Sequence, residues 1–351
     1  MKKILLLLLF LCCFSPTPKV QAAIIGQQEE INMGKDIARQ LEAQFGVVQD
    51  EELQERVNRI GQSLVKESTR RDIPYSFKVL NSDEVNAMAC PGGFIYVFKG
   101  LVDYMPSDDE LAGVLGHEIG HVVKKHTVHQ VEKQLALSLL TIIAGAAAGD
   151  PGAGIALAST ASEALMAGYS RADEGEADTQ GIELTEKAGY NPYSLYVTMC
   201  KLNDLAKEKG NPGYGLFDSH PQPELRMARA LKALAPLHMQ AQVTIHKDGS
   251  ATVKDGTWEF SFLKTFGSDK PEYRARMLAG ALYLVKRHKP IDESHFITVD
   301  GDGYSDIYYE DIKIMRLYPI DNLTAPSLSD YGGNVAGLLQ KWAIEANKTL
   351  G

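Results

Sequence analysis

The run His117-Glu118-Ile119-Gly120-His121 constrains this chain more than any other feature of its 351 residues. It reads H-E-x-x-H, and the residues ahead of it predict a helix over 107–126. Ser107 and Glu110 stand in the S-x-x-E relation of a capping box, and Leu111, Val114, Leu115, Ile119 and Val122 follow at helical spacing. On that helix His117 and His121 lie one turn apart on one face, so both imidazoles can reach one ion. Glu118 then sits beside the ion, where it can take a proton from a water molecule. The bland alternative is a surface helix with two solvated histidines. A helix cap placed directly ahead of the motif favours the metal centre.

Two histidines leave such a site one ligand short, because catalytic zinc takes three protein ligands and keeps a place for water. The segment Ser170-Arg171-Ala172-Asp173-Glu174-Gly175-Glu176-Ala177-Asp178 holds the candidate. Ser170 and Asp173 repeat the capping pattern and predict a helix that ends near Gly189. Glu174 and Asp178 share one face of it. Glu174 is the expected metal ligand, and Asp178 the group that holds a ligand histidine in its tautomer. Glu176 points off that face. Taken alone, each acid also reads as part of a solvated helix surface.

HEIGH, the S-R-x-x-E-x-x-A-D pattern of SRADEGEAD, and Asn86-Ala87 followed by Pro91-Gly92-Gly93 together resemble one family. It is the zinc metallopeptidase family of the CAAX prenyl endopeptidase, the heat-shock membrane protease HtpX and their soluble periplasmic relatives. The resemblance covers roughly residues 28–235. It implies a mainly α catalytic domain of zincin (gluzincin) type with a small β-sheet or hairpin. It also implies one Zn2+ per chain held by His117, His121 and Glu174, with Asp178 orienting a ligand histidine and Glu118 as general base. A further family feature appears here as His220-Pro221 and Arg226. The resemblance implies that His220 and Arg226 bind the substrate carbonyl or stabilise the oxyanion, and that His220 can close the site as a temporary extra ligand. From the residues alone, His220 in a Pro-rich loop also reads as an exposed polar group; the functional reading is favoured because Arg226 falls in the following helix, where it can be aimed. The 86–98 segment is expected to supply an edge strand that takes up a peptide by main-chain hydrogen bonds, with Asn86 and Ala87 at the substrate. His126 and His129 lie off the ligand spacing and are expected to be solvated.

The rest of the chain sets the frame. Lys2 and Lys3, the apolar run 4–14 and Val20-Gln21-Ala22 have the layout of an export signal over 1–22. Leu11 and Cys12 ahead of the Cys12-Cys13 pair are not the small residues a lipid-attachment site needs, so cleavage after Ala22 is favoured over a retained anchor. Removing 1–22 takes away Lys2, Lys3 and Lys19 and no acid, so the formal charge moves from −9 to −12. That balance argues against nucleic acid and anionic membrane surfaces as partners. Cys90 and Cys200 remain, either as one disulfide or as buried free thiols.

Residues 27–46 and 50–71 read as two helices, 74–80 and 93–98 as short strands, and 192–208 and 224–235 as further helices. The apolar arms 135–148 and 153–167 flank a Gly/Pro turn, each too short to span a bilayer. They read as a buried helical pair or as an exposed flap in transient contact with membrane or envelope proteins. From about 240 the pattern changes to strands at 242–245, 257–263, 296–299 and 306–309 around a helix at 271–286. The expected domains are 23–238, the peptidase, and 239–351, a small α+β domain without an assigned role. Within it, 300–306 reads as a polar turn or as part of a calcium loop.

The expected function is an exported zinc metalloendopeptidase acting on proteins or peptides, with envelope quality control implied by the resemblance. The alternative is a chaperone or assembly factor with a gated or inactive zinc site.

Overall fold

The computed structural model describes residues 25–134, 168–211, 213–220, 223–322 and 325–350. Helices α1 (Gln27–Phe45) and α2 (Glu51–Glu67) form where the apolar spacing places them. Asp50 caps α2 by accepting the Leu53 N–H at 3.0 Å. Val57, Ile60 and Leu64 of α2 are fully buried against a three-stranded sheet. Its strands are β1 (Ser76–Leu80), β2 (Ala87–Cys90) and β3 (Phe94–Phe98) in the order β1-β3-β2, with β1 parallel and β2 antiparallel to β3.

After the short α3 (Lys99–Tyr104), α4 (Asp108–Val123) carries the H-E-x-x-H run through the centre of the molecule. Every residue from Glu110 to Val122 is buried. A helix buried on all sides is a core element, so its polar residues must find partners inside the protein. α2, α5 (Arg171–Lys187), α6 (Ser194–Glu208) and β2 surround it, and α7 (Pro223–Leu234) lies across α5 and α6. Both expected capping boxes form, Ser107 with Glu110 and Ser170 with Asp173.

α4 does not run on to His126 as the spacing predicts. It stops at Val123, Lys124 and Lys125 turn with Lys125 at φ 56°, and helix resumes over 126–134. That left-handed residue changes the direction of the chain, which no apolar periodicity records.

The C-terminal part builds its own apolar core, separate from the one around α4. Strands β4 (Gln242–Ile245), β5 (Ala251–Asp255) and β6 (Trp258–Phe262) form one antiparallel sheet. Strands β7 (Phe296–Gly301), β8 (Tyr304–Tyr309) and β9 (Ile312–Leu317) form another. Helices α8 (Pro271–Val285) and α9 (Leu328–Leu350) pack on them, with Leu282, Leu339 and Trp342 buried. β5, β9 and α9 are absent from the sequence expectation; glycines at 332, 333 and 337 obscure the start of α9. Residues 300–306 make the tight β7–β8 hairpin. Cys90 and Cys200 are free buried thiols. The expectations for 1–22 and 135–167 lie outside the described residues. None of the described helices is long and apolar enough to cross a membrane.

Candidate active site

The site is assembled where α4 crosses α5, and the crossing depends on glycine. A Cβ on Gly120 would lie 2.7 Å from the Ala177 carbonyl oxygen, and one on Gly181 would lie 2.8 Å from the His117 nitrogen. The backbones therefore touch, and the faces bearing His117, Glu118, His121, Glu174 and Asp178 meet below the contact. All five are at most 2% exposed.

His117 Nε2 and His121 Nε2 are 3.1 Å apart. Glu174 Oε1 is 3.4 Å from His121 Nε2. From the loop before α7, His220 brings Nδ1 to 3.1 Å from His117 Nε2 and 2.9 Å from Glu174 Oε1. One ligand atom from each of these four side chains lies within 4.8 Å of all the others. A tetrahedral zinc with arms of about 2.0–2.2 Å sets its ligand atoms about 3.3–3.6 Å apart, so the donors have the separation of a metal site. The donor chemistry agrees: three imidazoles facing one another around a carboxylate suit a shared cation. The residues present fit zinc.

Glu118 is fully buried, and neither carboxylate oxygen accepts a hydrogen bond from a described residue. Among the described residues its ion-pair partner is His220 Nε2, 3.6 Å from Oε1. A dehydrated carboxylate without a donor is unfavourable unless a water or substrate group completes it.

Behind this donor cluster lies a charged layer. Asp178 Oδ1 is 2.9 Å from His117 Nδ1, which leaves Nε2 facing the site. Arg226 clamps Asp178 by two hydrogen bonds, at 3.0 Å from Nε and 2.6 Å from Nη2. Its Nη1 lies 2.8 Å from Glu174 Oε2 and donates to the His220 carbonyl at 3.3 Å. Burial alone would raise the pKa values of both acids. His220 and Arg226 instead hold Glu174 well below the usual range, and Arg226 with His117 does the same for Asp178. Burial pushes His121 well below the usual histidine range. Burial opposes charge on His220 too, but Glu174 and Glu118 outweigh it and raise its pKa.

Asn86 immediately precedes β2 and Ala87 opens it; β2 is the outer strand beside α4. Phe98 N donates to Asn86 O, so by antiparallel alternation the main-chain groups of Ala87 and Ala89 face the open edge. Asn86 Oδ1 accepts the Ala87 N–H at 2.9 Å, and Thr127 Oγ1 donates to Ala89 O at 3.4 Å.

One expectation is corrected. His126 is buried, not solvated, and its Nδ1 is 3.0 Å from His121 Nδ1. The turn at Lys125 folds it back under His121. His129 is exposed. A second residue, Tyr169, escaped the sequence reading altogether. Its ring stacks on His121 at 3.8 Å between centroids, and its hydroxyl is 2.8 Å from Thr127 Oγ1. Only its place just ahead of the Ser170 cap could have pointed to it.

Two histidines one turn apart, a carboxylate from a crossing helix and a buried glutamate beside them define the H-E-x-x-H class of metal-centre proteins. Residues 51–234 match the model of peptidase family M48, and the chain belongs to that family. It is 32% identical over 216 residues to the beta-barrel assembly-enhancing protease of Escherichia coli K12, across 59% of this chain and 43% of that protein. It is 35% identical over 155 residues to metalloprotease YcaL of the same organism, across 42% of this chain and 58% of that one. It is 33% identical over 181 residues to the mitochondrial metalloendopeptidase OMA1 of Arabidopsis thaliana, across 51% and 36%. The chain thus spans less than half the length of the assembly-enhancing protease.

Proposed function

We propose that this chain is a zinc-dependent endopeptidase of gluzincin type. Its ligands are His117, His121 and Glu174, its general base is Glu118, and it cleaves protein or peptide substrates. The observation that carries this is the buried Glu118 carboxylate, which accepts no hydrogen bond from the described residues, beside a four-residue donor cluster. A bound zinc would polarise the scissile carbonyl and acidify a water. Glu118 takes the proton from that water and returns it to the leaving amine. The substrate lies along the open edge of β2, where Ala87 and Ala89 offer main-chain groups once Asn86 and Thr127 release them. His220 stands where water and carbonyl must enter, so it gates the site and, when withdrawn, can donate to the oxyanion. Arg226, with its described contacts spent on Asp178, Glu174, the His220 carbonyl and the His117 ring, acts by holding these groups in place. We further propose export after cleavage near Ala22, a peptidase domain over 23–238, and a role in envelope protein quality control. The relative's role in β-barrel assembly supports that last point.

The test is zinc-loaded mature chain against an unfolded model protein, beside Glu118→Gln at equal zinc content. The variant is expected to lose activity by about 10²–10⁴-fold, the usual contribution of a general base. Equal cleavage by both would remove Glu118 from the mechanism. His220 in the entry position also supports a second reading, a chaperone or assembly factor with a closed zinc site. Under it, Glu118→Gln keeps its full biological effect.

A further inference from the structure

The first turn of α4 is tied, through Lys201 and Asn191, to residues outside the segment that matches the family. Glu110, the N3 residue of its capping box, has one carboxylate oxygen occupied by Ser107, from N at 3.2 Å and Oγ at 2.7 Å. The other oxygen takes the ammonium of Lys201 on α6. Lys201 is 3% exposed and pairs at the same time with Asp269, in the loop between β6 and α8. The second oxygen of Asp269 accepts the Tyr318 hydroxyl at 2.5 Å. Burial alone would lower the pKa of Lys201, but Glu110 and Asp269 raise it, so the ammonium stays charged. Beside it, Asp109 accepts the Asn191 N–H at 2.8 Å, and the Asn191 amide donates to the Met277 carbonyl of α8 at 2.7 Å.

These struts surround a cavity of about 100 Å³ lined by Glu110, Val197, Lys201, Phe262, Asp269 and Met277. Apolar packing is therefore interrupted where α4 meets the C-terminal part, and polar contacts bridge the gap. Asp269, Met277 and Tyr318 all lie beyond residue 234, where the family match ends.

We infer that the C-terminal part, residues 240–351, buttresses the metal-binding helix, and that Lys201 is the positioning residue through which it acts. The helix is a stiff rod, and Glu110 stands about 10 Å, two turns, ahead of His117. Glu174 sits on a different helix. A tilt of the α4 first turn therefore displaces His117 and Glu118 relative to Glu174, and the site loses its geometry without losing a ligand. Among the described residues, a Lys201 stripped of Asp269 keeps only Glu110, and a Glu110 stripped of Lys201 is a buried acid bound only to its own cap.

The kinetic part of this inference rests on the peptidase reading; the metal and exchange parts do not. The experiment uses the full mature chain with Lys201→Met, Asp269→Asn and Lys201→Arg. Zinc affinity is measured by chelator competition, hydrogen exchange over 108–123, and kcat and KM where the parent is active. Lys201→Met is expected to weaken zinc binding by about tenfold, the lower end for groups that orient metal ligands. Exchange protection of the α4 first turns falls, and kcat falls with KM within about twofold. Asp269→Asn shifts the same readouts in the same direction by less, and Lys201→Arg recovers most of the loss. Asp269→Asn keeps the volume of the site, so it serves as the test should Lys201→Met fail to fold. Unchanged zinc affinity and α4 exchange in Asp269→Asn, or a change confined to the thermal midpoint, overturns the inference. A parent that binds zinc and cleaves nothing counts against the peptidase reading alone, because affinity and exchange still decide the buttress.

Discussion

His121 shows how much of a proposed metal ligand is decided behind it. If its Nε2 lone pair faces the site, its Nδ1 carries the proton and donates to His126 Nδ1 at 3.0 Å. The His126 proton must then lie on Nε2, which is 3.8 Å from both Asp173 and Glu176. His126 thereby fixes the tautomer of His121, as Asp178 fixes that of His117. His126→Phe, which keeps the ring and removes the acceptor, is expected to weaken zinc binding by about 10–100-fold. His129→Ala, at an exposed position, is the control and leaves it unchanged. Equal zinc affinity in both variants, by chelator competition, would show that the His121–His126 contact does not orient the ligand. The difference between these two histidines also marks what the sequence could reveal. His117, Glu118 and His121 are related by helical spacing, and Glu174 and Asp178 by the same rule on a second helix. A local pattern was enough for each group. His126 depends on a left-handed Lys125, and Tyr169 on a stacking contact across 48 residues of chain (169 − 121). Neither leaves a periodic trace.

At the scale of elements, the central fact is that α4 and α5 meet backbone to backbone. Gly120 lies inside the H-E-x-x-H run, where the motif itself asks for no particular residue. Its role comes from the partner helix: a Cβ there would also stand 2.9 Å from the Ala177 Cα. Neither atom belongs to a flexible side chain, so the helices would have to separate. Gly120→Ala is expected to destabilise the protein by about 1–3 kcal/mol, the range for overpacked cores. It should also weaken zinc binding, because separation moves Glu174 away from His117 and His121. Gly333→Ala in α9, where an added Cβ meets nothing within 4 Å, is expected to be neutral or to stabilise by about 0.5–1 kcal/mol. Urea unfolding of the two variants checks the contrast, and a Gly120→Ala protein as stable as the parent would show that the crossing can widen without loss. The existence of these helices was legible from caps and apolar spacing. Their closeness was not, since a glycine in a helix reads equally as a tolerated weak point.

Across the whole molecule, α4 is tied at both ends, through Arg70 and Lys201, to chain outside residues 51–234. At its C-terminus Arg70 donates to the Val122 carbonyl at 2.8 Å and pairs through both terminal nitrogens with the buried Glu30 of α1. Glu30 in turn accepts the Gly92 N–H at 3.0 Å and so also fixes the turn between β2 and β3. At the N-terminus the joint with the C-terminal part includes Asp109, and here burial has a cost that pH exposes. Burial raises the half-buried Asp109 carboxyl from 3.8 to about 6, against the lowering effect of the Asn191 N–H. In the unfolded chain the same group ionises near its ordinary value. Between these two values the folded protein holds a proton that the unfolded one has released, so stability falls as pH rises through the window. Above about pH 6 the full cost of an ionised, partly desolvated acid is present. Asp109→Asn removes the charge, and its amide oxygen can still accept the Asn191 N–H. The variant is expected to have the higher thermal midpoint at pH 7–8, with the difference shrinking steadily towards pH 4. Comparing the two proteins at each pH cancels the titration of the proposed metal ligands, which they share. A variant less stable than the parent at pH 7.5 would mean that the positive end of α4 and the neighbouring Lys313 hold the ionised carboxylate more strongly than burial opposes it.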